Sequence, residues 1–326
     1  MVQIYQNPDS TNIKPIFALI GTDKQGKGTT WRHTLYGLSK LRYKVLGVTF
    51  PSYNTVGGMG AEINLSHKQI IDLLPSLGVD TAGWSKSKYA QIYSYILDRG
   101  MATQAIIDHV NQGYVVVTKR SSKATHAAYQ KAFNNIPERT TMQLEPFVPD
   151  PSVIMNMLSK GIRVDDFSEK GSSVLDDFES QNQDPVAKIQ DKYTRNPKKV
   201  GARYGFHIPY EESPQRLDTI LEGLTTILSN NPYTEKVRDE EENPIKILGR
   251  EEAKWDFRTK EGLENFLTKF TGADLLESWF SHPFEIANSY EDLFRINGKL
   301  LDYPMSVKEE IDQVIEQHMN SFKSAK

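Results

Sequence analysis

The stretch "GTDKQGKGTT" (21–30) carries residue types that handle phosphate. It is nearly G-x-x-x-x-G-K-[ST]. Gly21, Gly26 and Lys27 stand at the required spacing, and Gly28 takes the place of the usual hydroxyl residue. Glycines at such positions let successive backbone N–H groups turn toward phosphate oxygens. The helix that follows adds its positive end, and the lysine neutralises charge on the outer phosphates. Gly28 cannot supply the hydroxyl that would ligate Mg²⁺, although Thr29 and Thr30 follow directly. Standing alone, such a loop reads equally well as a plain turn. Other chemistries are thinly served: the seven histidines show no metal-ligand spacing, and the absence of cysteine removes disulfides, thiolate metal sites and thiol nucleophiles together.

The elements around the loop suit a phosphate site. "PIFALI" (15–20) reads as a buried strand entering it, and "TTWRHTLYGLSKL" leaves it with helical spacing of Leu35, Leu38 and Leu41. Further strands are expected at 43–50, 114–118, 152–157 and 203–208. Helices are expected at 66–75, 86–112, 122–134, 174–195 and from Ser213-Pro214 through Leu228, with Ser213-Pro214 as its cap. Residues 158–173 read as a loop. Short apolar strands alternating with helices imply parallel βαβ units and an α/β layered fold. "SNNPYTEKVRDEEENP" (229–244) reads as an acidic linker. Beyond it, 245–326 reads as short amphipathic helices rich in Phe and Trp, a mostly helical extension.

Composition bounds the function classes. With 326 residues, 38% hydrophobic and 25% charged, the chain is globular and long enough for one large or two ordinary domains. The longest apolar runs are five or six residues, so no membrane span is expected. "MVQIYQNPDSTNIKP" has neither the basic start nor the apolar core of a signal peptide, and a cytoplasmic location is expected. The formal net charge of −3 argues against nucleic-acid binding. That charge divides into about +4 over residues 1–230 and about −7 over the rest, so the first part is the better host for an anion.

Six stretches in order, over about residues 14–228, resemble the thymidylate kinase family. Gly21, Asp23, Gly26, Lys27 and Thr29 match its G-x-D-x-x-G-K-x-T loop. "FPSY" (50–53) resembles F-P-x-[RY], "YSYILDRG" (93–100) the L-x-x-x-D-R helix, and "YVVVTKRSSKATHAAYQKA" (114–132) the strand and helix V-V-x-D-R-[YH]-x-x-S-x-x-A-Y. "VPDPSVIMNM" resembles P-D-x-x-x-x-L, and "DDFES" (176–180) the D-x-[YF]-E start of a helix.

The resemblance implies a P-loop kinase fold with a five-stranded parallel sheet, ATP and Mg²⁺ as cofactors, dTMP as acceptor, and a homodimer. It implies that Gly21, Gly26, Lys27, Gly28, Thr29 and Thr30 hold the ATP phosphates, with Asp23 between the acceptor phosphate and the metal. Arg99 and Arg120 would clamp the acceptor phosphate. Phe50 would stack on the base with Tyr53 beside it, and Tyr129 would lie on the deoxyribose. Thr125, His126 and Gln130 would read the base edge. Either Lys24 in the loop or Arg163 in the lid supplies the transition-state cation. Asp23 and Glu179 are the carboxylates left to hold Mg²⁺.

The departures concern the metal. The family's strand-end acid is replaced within "TKRSS". Counting forward from Val117 aligns Lys119-Arg120 with Asp-Arg, counting back from Tyr129 puts Arg120 at the Asp, and a one-residue insertion reconciles the two. Gly28 lacks the loop hydroxyl. Two alternatives stay open: a kinase for another nucleoside monophosphate, and a nucleotide-binding scaffold without turnover. In the second, the acidic C-terminal part contacts a protein partner.

Overall fold

The structure is a computed structural model, and it describes residues 2–22, 25–50, 102–119, 149–158, 187–229, 231–248, 284–296 and 299–324. The expected helices at 66–75 and 122–134, the loop beyond residue 158, and the first parts of the helices expected at 86–112 and 174–195 lie outside these residues.

The five expected strands form. They are β2 (Ile16–Ile20), β3 (Val45–Thr49), β4 (Val115–Lys119), β5 (Val153–Met157) and β6 (Tyr204–Ile208). Three more strands join the same sheet: β1 (Ile4–Gln6), β7 (Ile245–Leu248) and β8 (Phe284–Ala287). The order is β1-β6-β5-β2-β4-β3-β7-β8. Strands β6, β5, β2, β4, β3 and β7 run parallel, while β1 and β8 are antiparallel at the two edges. The five-stranded parallel sheet is therefore corrected to six parallel strands within eight. The sixth, "IKIL", is only four residues long between Pro244 and Gly249. Only Ile245 and Leu248 are fully buried, with Ile247 packed against the core at partial burial, too short a run to show a strand period.

Helices cover both faces. On one side lie α1 (Lys27–Lys40), α4 (Ser213–Leu228) and α7 (Lys308–Ser324), over the main core of Phe17, Leu19, Val117, Met155 and Phe206. On the other, α2 (residues 102–111) packs Ala102, Ile106 and Val110 on Leu46, Val48 and Val116. There too α3 (187–195) sets Tyr193 on Ala18, Ile20 and Ile154. No helix among the described residues is long and apolar enough to cross a membrane.

The acidic segment 229–244 is fastened to the main body. Arg42 donates to the carbonyls of Val237, Arg238 and Glu241, Asn243 donates to the carbonyls of Ser39 and Tyr43, and Lys44 pairs with Glu235 at 2.6 Å. Among its described residues the C-terminal part is largely helical, as expected, but it also contributes strands. Besides β7 and β8 it holds a small hairpin, β9 (Arg295–Ile296) and β10 (Lys299–Leu300), between α5 (Tyr290–Leu293) and α6 (Asp302–Ser306). Its Tyr290, Leu293, Phe294, Ile311 and Ile315 are buried in the main core.

The cap of α4 also differs from expectation. Glu212 occupies the N-cap without a side-chain cap bond, Ser213 is already helical, and the Ser213 hydroxyl lies 3.4 Å from that of Tyr303.

Candidate functional site

All six parallel strands end at one edge, and the chain changes direction across β2, whose neighbours are β4 and β5. In open α/β sheets such a crevice is the natural ligand position. Here it is filled by the glycine loop.

The loop folds as its residue types dictate. Ile20 ends β2, and α1 begins at Lys27 behind Gly26, whose left-handed φ of 76° and ψ of 21° favour glycine. Gly26 is the N-cap and makes no side-chain cap bond, and the first N–H groups of α1 have no intrahelical acceptor. Thr30 N–H is the first to find one, the Gly26 carbonyl at 3.0 Å. Lys27 is 4% exposed, and its ammonium donates to the Thr22 carbonyl across the loop. Gly21 meets the loop from the other end: a Cβ there would lie 2.5 Å from Gln25 Oε1 and 3.2 Å from Met157 Cβ.

Several buried polar atoms here make no hydrogen bond: Gln25 Oε1 and Nε2, Thr30 Oγ1 and Arg216 Nε. Leaving such an atom unsatisfied costs about 1–3 kcal/mol. Three of these atoms lie in the loop and the first turn of α1, and the fourth is on Arg216, which bonds to that loop; together they mark a cradle that a polar ligand would complete. Arg216, on α4, donates from Nη1 to the Gln25 carbonyl at 3.1 Å, and the same nitrogen would lie 3.1 Å from a Cβ on Gly26. Backbone N–H groups, a buried lysine and this guanidinium all favour negative charge at one point. The described residues fit a polyphosphate.

They supply no metal ligand set. Gly28 has no side chain, and among the described residues no group of His, Asp and Glu could hold a metal ion. At the end of β4 stands Lys119, 7% exposed, level with Leu19 of β2 and with Thr49 of β3. A cation thus occupies the strand end where the resemblance expects an acid.

Behind the loop, α1 is tied to the C-terminal part. His33 is 1% exposed, and its Nε2 lies 2.9 Å from the Tyr290 hydroxyl, which itself donates to the Pro304 carbonyl at 2.7 Å. The hydroxyl proton is committed, so His33 carries its own proton on Nε2, and Nδ1 makes no bond. Burial, reinforced by the Arg32 and Arg216 charges, pushes the His33 pKa down to about 3. One turn on, the Tyr36 hydroxyl donates to Asp312 at 3.0 Å, and Lys308 pairs with the same carboxylate at 2.7 Å.

Of the residues expected to act, Gly21, Gly26, Lys27, Gly28, Thr29 and Thr30 come together in the loop. Phe50 follows β3 at 3% exposure, packed in the second core with Val48 and Ile106, so its ring has no open face. Asp23, Lys24, Tyr53, Arg99, Arg120, Thr125, His126, Tyr129, Gln130, Arg163 and Glu179 lie outside the described residues. Gln25 and Arg216 were not expected. Gln25 sits at a loop position whose type is unrestricted, and Arg216 reaches the loop only because α4 packs along α1.

No protein-family description matches this chain, and neither does any curated protein. Among solved structures, a thymidylate kinase from Candida albicans is similar at 18% identity and a TM-score of 0.45, over 69% of this chain and 95% of that one.

Proposed function

We propose that this chain is an ATP-dependent phosphotransferase acting on a nucleoside monophosphate, with dTMP the leading acceptor. One observation carries the reading. Strand β2, a left-handed Gly26, a buried Lys27 and the uncapped start of α1 form a phosphate cradle at the ligand edge of a parallel sheet.

Phosphoryl transfer asks a protein for positioning and charge neutralisation more than for covalent chemistry. The bond from the γ-phosphorus to the bridging oxygen breaks, and a bond forms to an oxygen of the acceptor phosphate. The loop N–H groups and Lys27 hold the donor phosphates, and Arg216 keeps the loop in shape from behind. Asp23 and Glu179 would hold Mg²⁺, which would supply charge neutralisation on the phosphates. Arg99 and Arg120 clamp the acceptor. Lys24 or Arg163 adds the transition-state cation. Phe50, enclosed in the core, has no open face for the stacking role first expected of it; Tyr53, Thr125, His126, Tyr129 and Gln130 line the base and sugar.

A phosphoryl-transfer assay across the monophosphates, with and without Mg²⁺, tests this. The expected order is dTMP above dUMP by a modest factor, because one methyl group is worth only about 1–3 kcal/mol, with dCMP and dGMP lower. Equal rates on dTMP and dGMP would move the assignment to a broader monophosphate kinase. Lys119 at the strand end favours one other reading, a nucleotide-binding protein without turnover. ATP binding with no transfer to any monophosphate would select it.

A further inference from the structure

We propose that the C-terminal part supplies a wall of the nucleotide cleft. In this arrangement Tyr303 of α6, together with Tyr210, receives the base of the nucleoside triphosphate. The inference rests on the phosphate-loop reading above and adds a residue that lies beyond the stretch resembling any kinase.

Helices α1 and α4 begin side by side at the ligand edge of the sheet, and Arg216 bridges them by its bond to Gln25 and its approach to Gly26. The Arg216 guanidinium lies 5.3 Å from the centre of the Tyr210 ring, in the turn that leaves β6. Two residues further, Glu212 accepts from the Tyr303 hydroxyl at 3.3 Å, and the Ser213 hydroxyl lies 3.4 Å from the same oxygen. A continuous path thus runs from the phosphate cradle through Arg216 and Tyr210 to Tyr303.

Both rings are large and partly exposed, Tyr210 at 39% and Tyr303 at 49%. Tyr233 is as exposed, at 41%, but belongs to the acidic segment 229–244. Place, not exposure, singles out the other two. Tyr303 is also held in position, its hydroxyl anchored at the start of α4 and the following Pro304 carbonyl fixed by Tyr290. An anchored ring loses little conformational entropy on binding. The charge pattern identifies the occupant. Arg216 favours anions on the loop side, whereas the Glu212 carboxylate beside Tyr303 repels them. A neutral flat ring joined to a polyphosphate satisfies both, and aromatic side chains stack on any base.

Equilibrium binding of ATP and of inorganic tripolyphosphate to the full chain tests the proposal without relying on turnover. Tyr303→Ala should weaken ATP binding about tenfold and leave tripolyphosphate binding unchanged. Tyr303→Phe keeps the ring and should stay within about threefold of the natural protein for both ligands. Retained tripolyphosphate binding also shows that the variant is folded. ATP affinity unmoved by Tyr303→Ala, or the same loss for both ligands, would overturn the inference while leaving the phosphate loop intact. Failure of the unsubstituted chain to bind either ligand would overturn the phosphate-loop reading, and this inference with it.

Discussion

Lys27 is the side chain on which the phosphate reading turns. It is buried at the start of α1 and reaches back across the loop to Thr22. Removing the ammonium leaves the left-handed turn at Gly26 and the helix behind it in place. Lys27→Ala is therefore expected to cost at least about 100-fold in turnover. Far-UV circular dichroism should be unchanged, and stability should move by no more than about 1 kcal/mol. Full activity in that variant would remove the loop from the mechanism.

His33 gives a second test at this scale, of stability instead of catalysis. Its pKa sits near 3 in the folded chain, against an ordinary value of 6.5, because burial and two nearby cations disfavour the imidazolium. As pH falls through 6.5, the unfolded chain takes up a proton that the folded chain refuses. Stability contributed by neutral His33 is thus full above 6.5 and is lost toward pH 3, at up to about 1.4 kcal/mol per pH unit. Urea titrations at pH 7.5 and 5.0 should show this loss, and His33→Gln should flatten it. His109 and His207, also lowered by burial, add to the slope in the same direction. An equal slope in His33→Gln would mean that other groups control acid stability.

At the scale of elements, the packing of α1 on the sheet depends on a small residue. A Cβ at Gly47 in β3 would lie 2.6 Å from Leu35 Cδ1 and from Trp31 Cζ2, both on α1. The Trp31 indole cannot swing aside freely, since it donates to the Val117 carbonyl at 2.9 Å. Gly47→Ala should cost about 1–3 kcal/mol by overpacking and displace the start of α1, weakening ATP as well; urea unfolding and ATP titration on one sample read both.

Elements of this kind were legible in the sequence to unequal degrees. Strands β2 to β6 are short apolar runs buried on both faces, and each stood where the pattern put it. The bounds of α4 at Ser213 and Leu228 were also visible, but not its capping, because Ser213 turns its hydroxyl toward Tyr303. Within the loop, Gly21, Gly26 and Lys27 could be read from spacing. Gln25 and Arg216 could not, since their meeting depends on helix–helix packing across 191 residues of chain.

The whole molecule shows where local patterns stop informing. The drop in hydropathy over 229–244 reads as a boundary, and a polar, acidic stretch gives no local sign that Arg42 and Asn243 will bind it down. Beyond it, Ile245 and Ala287 from the two added strands enter the main core, with Tyr290, Leu293, Phe294, Ile311 and Ile315 from the helices and turn that follow. If each of the six larger side chains, Ala287 aside, contributes about 1.5–3 kcal/mol by burial, together they rival the 5–15 kcal/mol that holds an average domain folded. Removing them would also strip β3 of its partner β7 and leave a bare strand edge beside the exposed faces of α1 and α4. A chain ending at Leu228 is therefore expected to lack a cooperative urea transition and to self-associate in sedimentation velocity, although it retains every stretch that resembles a kinase. The full chain should unfold in a single transition, stabilised by ATP. A soluble, monomeric chain ending at Leu228, with its own sharp transition and undiminished ATP affinity, would show instead that the first 228 residues form a self-sufficient domain.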